Sequence, residues 1–308
     1  MSIKNISKVL VIGDVMLDIY ISGTANRLSP EAPVPVLQVH NEYCVLGGAA
    51  NVANNLSGLG INCGVFGFKG EDQNSIILDN LFKDKSIDNL TFTSSVPTIT
   101  KTRIVAQKQQ IVRLDREINF NNPIIAKQAF EKIITKFKNS YLIISDYAKG
   151  LCSQEFLSYV FLQSKVLNIK VFVDPKGNKW EKYKGAFLVK PNVKELCDII
   201  GFEIDNEDDA IALHGRNIMK IYNIENLLIT RSEKGMTLLR QNDIMHFHSE
   251  AKEVYDVSGA GDTVISTLVT GLIEGNNIFD ATKLANKAAG IVVGKFGTAN
   301  INKKELHQ

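Results

Sequence analysis

Long apolar runs are missing from the 308-residue sequence. No stretch nears the ~20 residues a membrane-spanning helix needs. The run Val9 to Ile12 is too short for a signal-peptide core and has no small-residue cleavage site after it. The sequence therefore predicts a cytoplasmic protein with no membrane partner. Cysteine is scarce: four residues (Cys44, Cys63, Cys152 and Cys197), far apart and without a C-x-x-C pair. That argues against a zinc ribbon or a thioredoxin-like site and fits small core residues in a reducing compartment. A dominant charge is also lacking. Lys and Arg number 35 against 33 Asp and Glu, a net charge of +2, so no broad basic field points to a nucleic-acid partner. The five histidines show no metal-ligand spacing. No internal repeat, low-complexity tract or long linker is present. What remains is ordinary globular composition, 44% hydrophobic and 22% charged, which excludes general disorder.

Short aliphatic runs recur at Val9–Ile12, Tyr141–Ser145, Val171–Val173, Phe187–Val189 and Leu227–Ile229. Continuous hydrophobicity of this kind marks strands buried on both faces. Helical stripes lie between most of them, such as Val52, Ala53, Leu56 and Leu59, or Ala126, Phe130, Ile133, Ile134 and Phe137. Alternation of this kind predicts an α/β fold with a mainly parallel central sheet flanked by helices. The strand-like runs end in Asp14, Asp146, Asp174, Asn192 and Thr230, and open α/β sheets bind ligands beyond the carboxyl ends of their strands. Two segments, 19–40 and 90–116, break the alternation with strand-like pieces around polar or Pro-rich turns. They predict antiparallel strands inserted as a small β-sheet lid on a single domain spanning 1–308. An exposed sheet has to cover its apolar face, and pairing of two copies through the lid is one way to do so.

The strongest chemical signal is Val257-Ser258-Gly259-Ala260-Gly261-Asp262-Thr263, followed by an apolar stripe at helical spacing. The glycines let the backbone turn tightly and approach a ligand. The helix that opens there offers free N–H groups and a positive dipole end to a phosphate or developing oxyanion. Asp262, in the first turn, is placed to take a proton from an attacking hydroxyl. The plainer alternative is an acidic residue that only complements the dipole. A dinucleotide fingerprint fails for want of a third glycine, since Val264 stands at that position, and no G-x4-G-K-[ST] sequence occurs.

Gly47-Gly48-Ala49-Ala50-Asn51 opens another helix, where the glycines permit close approach and Asn51 offers both a donor and an acceptor. Asp14 and Asp18 have several acceptor sites each, which suits hydroxyl recognition. Asn192 and Glu195 allow two readings, a capping box or a site near nucleotide phosphates and Mg²⁺. Asn286, on an apolar-striped helix, either lines an adenine pocket or is solvated. Lys101, Arg103, Lys108, Arg113 and Arg116 crowd the second lid segment. Lys101 and Arg103 share a strand face and suit a substrate phosphate; a charged edge that deters aggregation is the alternative.

Taken together, the Gly47–Asn51 and Asp256–Thr263 segments, in this order and separation, resemble the two signatures of ribokinase-like (PfkB) carbohydrate kinases along nearly the whole chain. Gly13–Asp18, Arg27–Val36, Asp262–Leu268 and Gly294–Thr298 resemble the D-glycero-β-D-manno-heptose-7-phosphate kinases within that family. The resemblance implies a ribokinase-like fold, ATP and Mg²⁺ as cofactors, and γ-phosphoryl transfer to a sugar hydroxyl. It implies Asp262 as base, with the amides of Gly259, Ala260 and Gly261 as anion hole. Asp14, Gly47, Gly48 and Asn51 would hold the sugar; the residues' own chemistry adds Asp18 to that set and makes Arg103 the choice among the lid cations for a distal phosphate. Asn192, Thr230, Ser232, Gly235 and Asn286 would border the nucleotide, and Glu195 would meet the metal through water. Many members of the subgroup carry a fused nucleotidyltransferase with an H-x-G-H motif; these 308 residues contain none, so the resemblance covers the kinase part. A kinase for another sugar phosphate or a nucleoside, and a non-catalytic sugar or nucleotide sensor of the same fold, are the competing expectations.

Overall fold

The computed structural model describes residues 9–107, 109–295, 297 and 300–307. Lys108, Phe296 and Thr298 lie outside the described residues. In chain order the main elements are β1 (Val9–Gly13), β2 (Val15–Leu28), β3 (Pro35–Gly48), α1 (Ala49–Gly58), β4 (Cys63–Phe66), β5 (Phe68–Lys69), α2 (Gln73–Asp84), β6 (Asp88–Asn89) and β7 (Phe92–Thr93). Then follow β8 (Ile99–Ala106), β9 (Gln109–Arg116), α3 (Pro123–Ile134), β10 (Tyr141–Ser145), α4 (Gln154–Val166), β11 (Lys170–Asp174), β12 (Leu188–Val189), α5 (Val193–Ile200) and α6 (Asp208–Tyr222). The chain continues through β13 (Asn226–Thr230), β14 (Met236–Arg240), β15 (Ile244–Phe247), α7 (Ala260–Ile273), α8 (Ile278–Val292) and α9 (Lys303–His307).

The central sheet has the order β15-β14-β13-β12-β11-β10-β1-β4-β6 among the described residues. Strands β13 through β6 run parallel, and β14 and β15 add an antiparallel edge. Successive strand side chains point to opposite faces, and β1 divides its residues accordingly. Leu10 and Ile12 pack with Phe130 and Phe156 of α3 and α4, whereas Val9 and Val11 pack with Leu56 of α1 and Leu268 of α7. Every residue of β1 is buried, which is why the run carries no alternation in sequence. Helix α7 is buried from Asp262 through Gly271, and two hydroxyls on it are satisfied within the helix, Ser266 donating to the Asp262 carbonyl and Thr270 to that of Ser266. Side-chain caps set several helix starts: Asp72 accepts from Ser75 N, Asn122 from Ile125 N ahead of Pro123, and Ser153 from Phe156 N. Among the described residues no helix is long and apolar enough to cross a membrane.

A second sheet, ordered β3-β2-β8-β9, departs from the expectation in two ways. Its first hairpin spans Val15–Leu28 and Pro35–Gly48 and so is longer than 19–40; residues 90–98 fall outside it. Moreover, β2 and β8 pair in parallel, although each hairpin is antiparallel as expected. The parallel pair is possible because α1, β4 and α2 intervene, giving the long crossover that parallel neighbours require.

The aromatic cluster under the sheet carries a stability prediction. Phe130 is fully buried, edge-on to Phe66 at 5.6 Å and to Phe156 at 5.7 Å between ring centroids. Phe130→Ala is expected to cost about 3–5 kcal/mol of unfolding free energy in urea denaturation; a loss under ~1 kcal/mol would mean that the cluster collapses around the gap.

Candidate active site

Parallel strands point their carboxyl ends the same way, so Asp14, Asp146, Asp174, Lys190 and Thr230 gather along one edge of the central sheet. There a cleft of about 530 Å³ opens. Asn192, Glu195, Thr230, Ser232, Gly235, Gly259, Ala260, Gly261, Asp262 and Asn286 all line it.

The floor of the cleft is the tip of α7. Gly259 sits at φ 77°, the left-handed conformation that lets the chain turn into the helix. A Cβ on Gly261 would lie 3.0 Å from Lys190 Nζ and 3.5 Å from Asp174 Oδ2. The missing side chain thus lets a buried ammonium approach the helix tip. Lys190 pairs with Asp174 at 2.9 Å. Burial lowers the Lys190 pKa, but Asp174, Glu195 and Asp262 outweigh it and raise the value, so the cation is kept.

Asp262 is buried, accepts Asn51 Nδ2 at 2.7 Å on Oδ2, and receives the Tyr147 hydroxyl at 3.1 and 3.3 Å on its two oxygens. Burial and, next, the negative charge of Asp174 raise its pKa from 3.8 to about 7, against the lowering contributions of Asn51, Lys190 and Tyr147. A carboxyl with a pKa near neutrality suits proton abstraction at physiological pH.

For Asn192 and Glu195 the capping box is present, and the same two residues stand in the cleft wall. The capping box is formed, with Asn192 Oδ1 accepting Glu195 N at 2.8 Å and Glu195 Oε2 accepting Asn192 N at 3.1 Å. Both residues nevertheless line the cleft, and Glu195 Oε1 meets Lys176 Nζ at 3.0 Å. Asn286 is only 4% exposed and donates to the His248 carbonyl at 2.7 Å, so it is a cleft residue and not a solvated one. Gly235, at φ 82°, lets the loop after β13 pass so close to Phe247 that a Cβ would lie 2.0 Å from its carbonyl oxygen.

Asp14, Asp18, Gly47, Gly48, Asn51 and Arg103 stand outside the cleft lining, on the side of Asp262 that faces the smaller sheet. Two bonds join the halves: Asn51 to Asp262, and Tyr147 N to Asp14 Oδ2 at 3.0 Å. Lys149 N adds a second donor to Asp14 Oδ2 at 3.0 Å. Asp14 Oδ1 and Asn51 Oδ1 are buried and accept no hydrogen bond among the described residues. Burial, then Asp146, raise the Asp14 pKa to about 6. Gly47 makes room for Asp18, whose Cγ would be 2.9 Å from a Cβ there, and Gly48 for the Asp14 carbonyl. On the smaller sheet, Arg103 pairs with Asp18 at 3.2 Å and lies over the Tyr20 ring, while Lys101 lies over the Tyr147 ring. Arg113 and Arg116 are exposed.

Among the site residues that the sequence does not single out are Tyr147, Asp174 and Lys190. Asp174 already stands among the polar strand ends, and Lys190 directly follows the run Phe187–Val189. Their partnership with α7 depends on chain segments some 70 to 90 residues apart, for which the sequence has no local signal. The described residues include no cluster of three or more His, Cys, Asp or Glu side chains fit to hold a metal. Glu195, one of several carboxylates that line the cleft and already paired with Lys176, fits only an ion bound mainly by phosphates and water, which is the habit of Mg²⁺.

A cradle of amides and one buried ammonium beside a carboxylate near neutrality, at the carboxyl edge of an open α/β sheet, is the outline of a phosphoryl-transfer enzyme. The chain belongs to the pfkB family of carbohydrate kinases, whose sequence profile matches residues 6–305. It is 44% identical over 303 residues to the bifunctional protein HldE of Pasteurella multocida and 46% identical over 303 residues to that of Actinobacillus succinogenes. Each match covers 97% of this chain and 63% of the relative, so the chain spans less than two thirds of their length. Among solved structures, phosphofructokinase-2 from Escherichia coli in complex with fructose-6-phosphate superposes with a TM-score of 0.83 at 16% identity, covering 98% of this chain and 97% of that one. Arabidopsis thaliana ribokinase complexed with ribose and ATP gives 0.78 at 17% identity, with the same coverage. These two likenesses establish the ribokinase-like fold.

The raised Asp262 pKa carries a stability prediction. Folding makes this carboxyl bind its proton more tightly than the unfolded chain does. Its contribution to stability is therefore present below the ordinary value of 3.8 and is lost as pH rises towards and through about 7. Asp262→Asn removes the buried charge, so the variant is expected to melt higher than the parent at pH 8.5 by scanning calorimetry. The gap should shrink towards pH 5, and equal melting temperatures at both pH values would contradict the burden of charge at this position.

Proposed function

We propose that the chain is an ATP-dependent kinase that phosphorylates the anomeric hydroxyl of D-glycero-β-D-manno-heptose 7-phosphate. The product is the 1,7-bisphosphate, a precursor of ADP-heptose in lipopolysaccharide core synthesis. One observation carries the reading of the reaction: Asp262, in the first turn of α7, is bonded to Asn51 and linked through Tyr147 to Asp14, and Asn51 Oδ1 and Asp14 Oδ1 are buried acceptors left unpartnered among the described residues. Buried acceptors without a donor call for one, and a sugar offers several hydroxyls. The identity of the sugar is supported by the heptose-kinase resemblance of Gly13–Asp18 and Arg27–Val36 and by the relatives matched over 97% of the chain.

In this reading the nucleotide lies along Asn192, Thr230, Ser232, Gly235 and Asn286, with its terminal phosphate towards the amides of Gly259, Ala260 and Gly261. Asp14, Asp18, Gly47, Gly48 and Asn51 orient the sugar, and Arg103 meets its distal phosphate. Phosphoryl transfer is mostly positioning and electrostatics. The helix-tip amides and Lys190 offset the charge on the equatorial oxygens, while Asp262 takes the hydroxyl proton late. When bound, Mg²⁺ would supply positive charge against the nucleotide phosphates, and Glu195 would hold it through water. The 1–308 chain acts as one kinase unit in the cytoplasm, and the smaller sheet serves as a lid that keeps water from the phosphoryl group. Leu28, Val39, Ile111, Val112 and Leu114 on that sheet are exposed, and a second copy of the chain is the partner that covers them.

A coupled ADP-release assay with heptose 7-phosphate, fructose 6-phosphate and ribose side by side tests the assignment. Turnover is expected to be highest with the heptose; preference for another acceptor moves the substrate, and binding without turnover makes the protein a sensor. Asp262→Asn should lower kcat by about 10²–10⁴ and spare ATP binding. For the dimer, Leu114→Glu is expected to shift the sedimenting species from two copies to one. A parent protein that sediments as a monomer at micromolar concentration would remove the lid interface.

A further inference from the structure

We propose that Tyr147 is a positioning residue for the base: its hydroxyl orients the Asp262 carboxylate and holds it ionised, while its backbone fixes Asp14 on the sugar side. This inference rests on Asp262 being the base.

The geometry is a two-ended brace. Tyr147 lies two residues beyond β10. Its hydroxyl reaches both oxygens of Asp262 at 3.1 and 3.3 Å, and its backbone N–H donates to Asp14 Oδ2 at 3.0 Å. The brace is itself held at three points. Ala148 adopts φ 58°, an unusual conformation for a residue with a Cβ, and its N–H donates to Asp146 Oδ1 at 2.7 Å. Asp146 is fastened in turn by Lys182 and by the Tyr183 hydroxyl at 2.6 Å. The Lys101 ammonium sits 5.6 Å from the centre of the Tyr147 ring.

The direction of the hydrogen bond follows from the surroundings. Burial, then the charges of Asp262 and Asp174, push the Tyr147 pKa well above 10, so the phenol stays protonated and donates. Donation to a carboxylate favours its charged form. The other groups that act on Asp262 are Asp174 at the end of β11, which opposes ionisation, and Asn51 from α1 and Lys190 after β12, which favour it. Asp18 and Lys101, from the smaller sheet, and Asp14 flank Tyr147. Among these partners, Tyr147 is one whose influence on Asp262 a single-atom change removes without altering any charge or the ring beneath Lys101.

The test is the pH profile of kcat/KM for Tyr147→Phe beside the parent and Asp262→Asn. We expect the acid limb of Tyr147→Phe to move up by about one pH unit, the effect of losing one hydrogen bond to a charged group. Activity at pH 6 should then fall roughly tenfold, most of the loss should be recovered by pH 9, and KM for ATP should not change. A superimposable profile overturns the inference, and so does a uniform loss at every pH, which would leave the ring a packing role only. The two readings fail separately. If Asp262→Asn keeps the parent turnover, the base assignment falls. If Asp262→Asn is inactive and the Tyr147→Phe limb does not move, only the role of Tyr147 falls.

Discussion

An ionisable carboxylate held out of water is the constraint around which this molecule is arranged. Asp262 sits in the first turn of α7, which is buried from that residue through Gly271. Desolvation disfavours its charge, and each neighbour is a partial remedy or an aggravation. Asn51, Tyr147 and Lys190 favour the anion and Asp174 opposes it, which leaves the group near neutrality instead of fully protonated. A stronger set of donors would produce a weaker base, and a drier pocket would produce an acid that never ionises.

Lys190 and Asp174 show how the same constraint shapes the nucleotide side. A buried ammonium needs a carboxylate partner, and Asp174 supplies it at 2.9 Å. The pair is mounted at the ends of β12 and β11, so its place relative to α7 is set by the sheet and not by a loop. Gly261 matters here through what it lacks, since a side chain at that point would push against the Lys190 ammonium. Across Asp262, the acceptor side is built from a different part of the chain, the β1–β2 junction and the start of α1. The Asp146–Gly150 loop joins the two, because the backbone that ties down Asp14 carries the phenol that reaches Asp262.

Much of the architecture was legible because burial on both faces leaves a plain mark. The runs at Val9, Tyr141, Val171 and Leu227 became β1, β10, β11 and β13 with limits shifted by a residue or so. The helix tip at Gly259–Asp262 was equally legible, since glycines followed by an apolar stripe have few other uses. The smaller sheet was harder to read. Strands of 14 residues with mixed polar and apolar content lack a clean period, so the sequence pattern foreshortens the hairpin from Val15 to Gly48 and carries no sign of the parallel pairing of β2 with β8. Asn192 and Glu195 illustrate a different limit: a capping box and a cleft wall require the same residues, and local spacing cannot separate two roles that coexist.

The sequence by itself determined the α/β class, the strand ends that carry polar residues, the glycine-opened helix and the family. Those features depend on local periodicity and on short motifs whose parts touch one another. Only the tertiary structure decided which strand ends meet α7, that Tyr147 bridges Asp262 and Asp14, and that Asp262 has a pKa near 7. The reason is physical. Desolvation and through-space charge depend on what the folded chain brings within a few ångströms, and residues 51, 147, 174, 190 and 262 are neighbours in space alone.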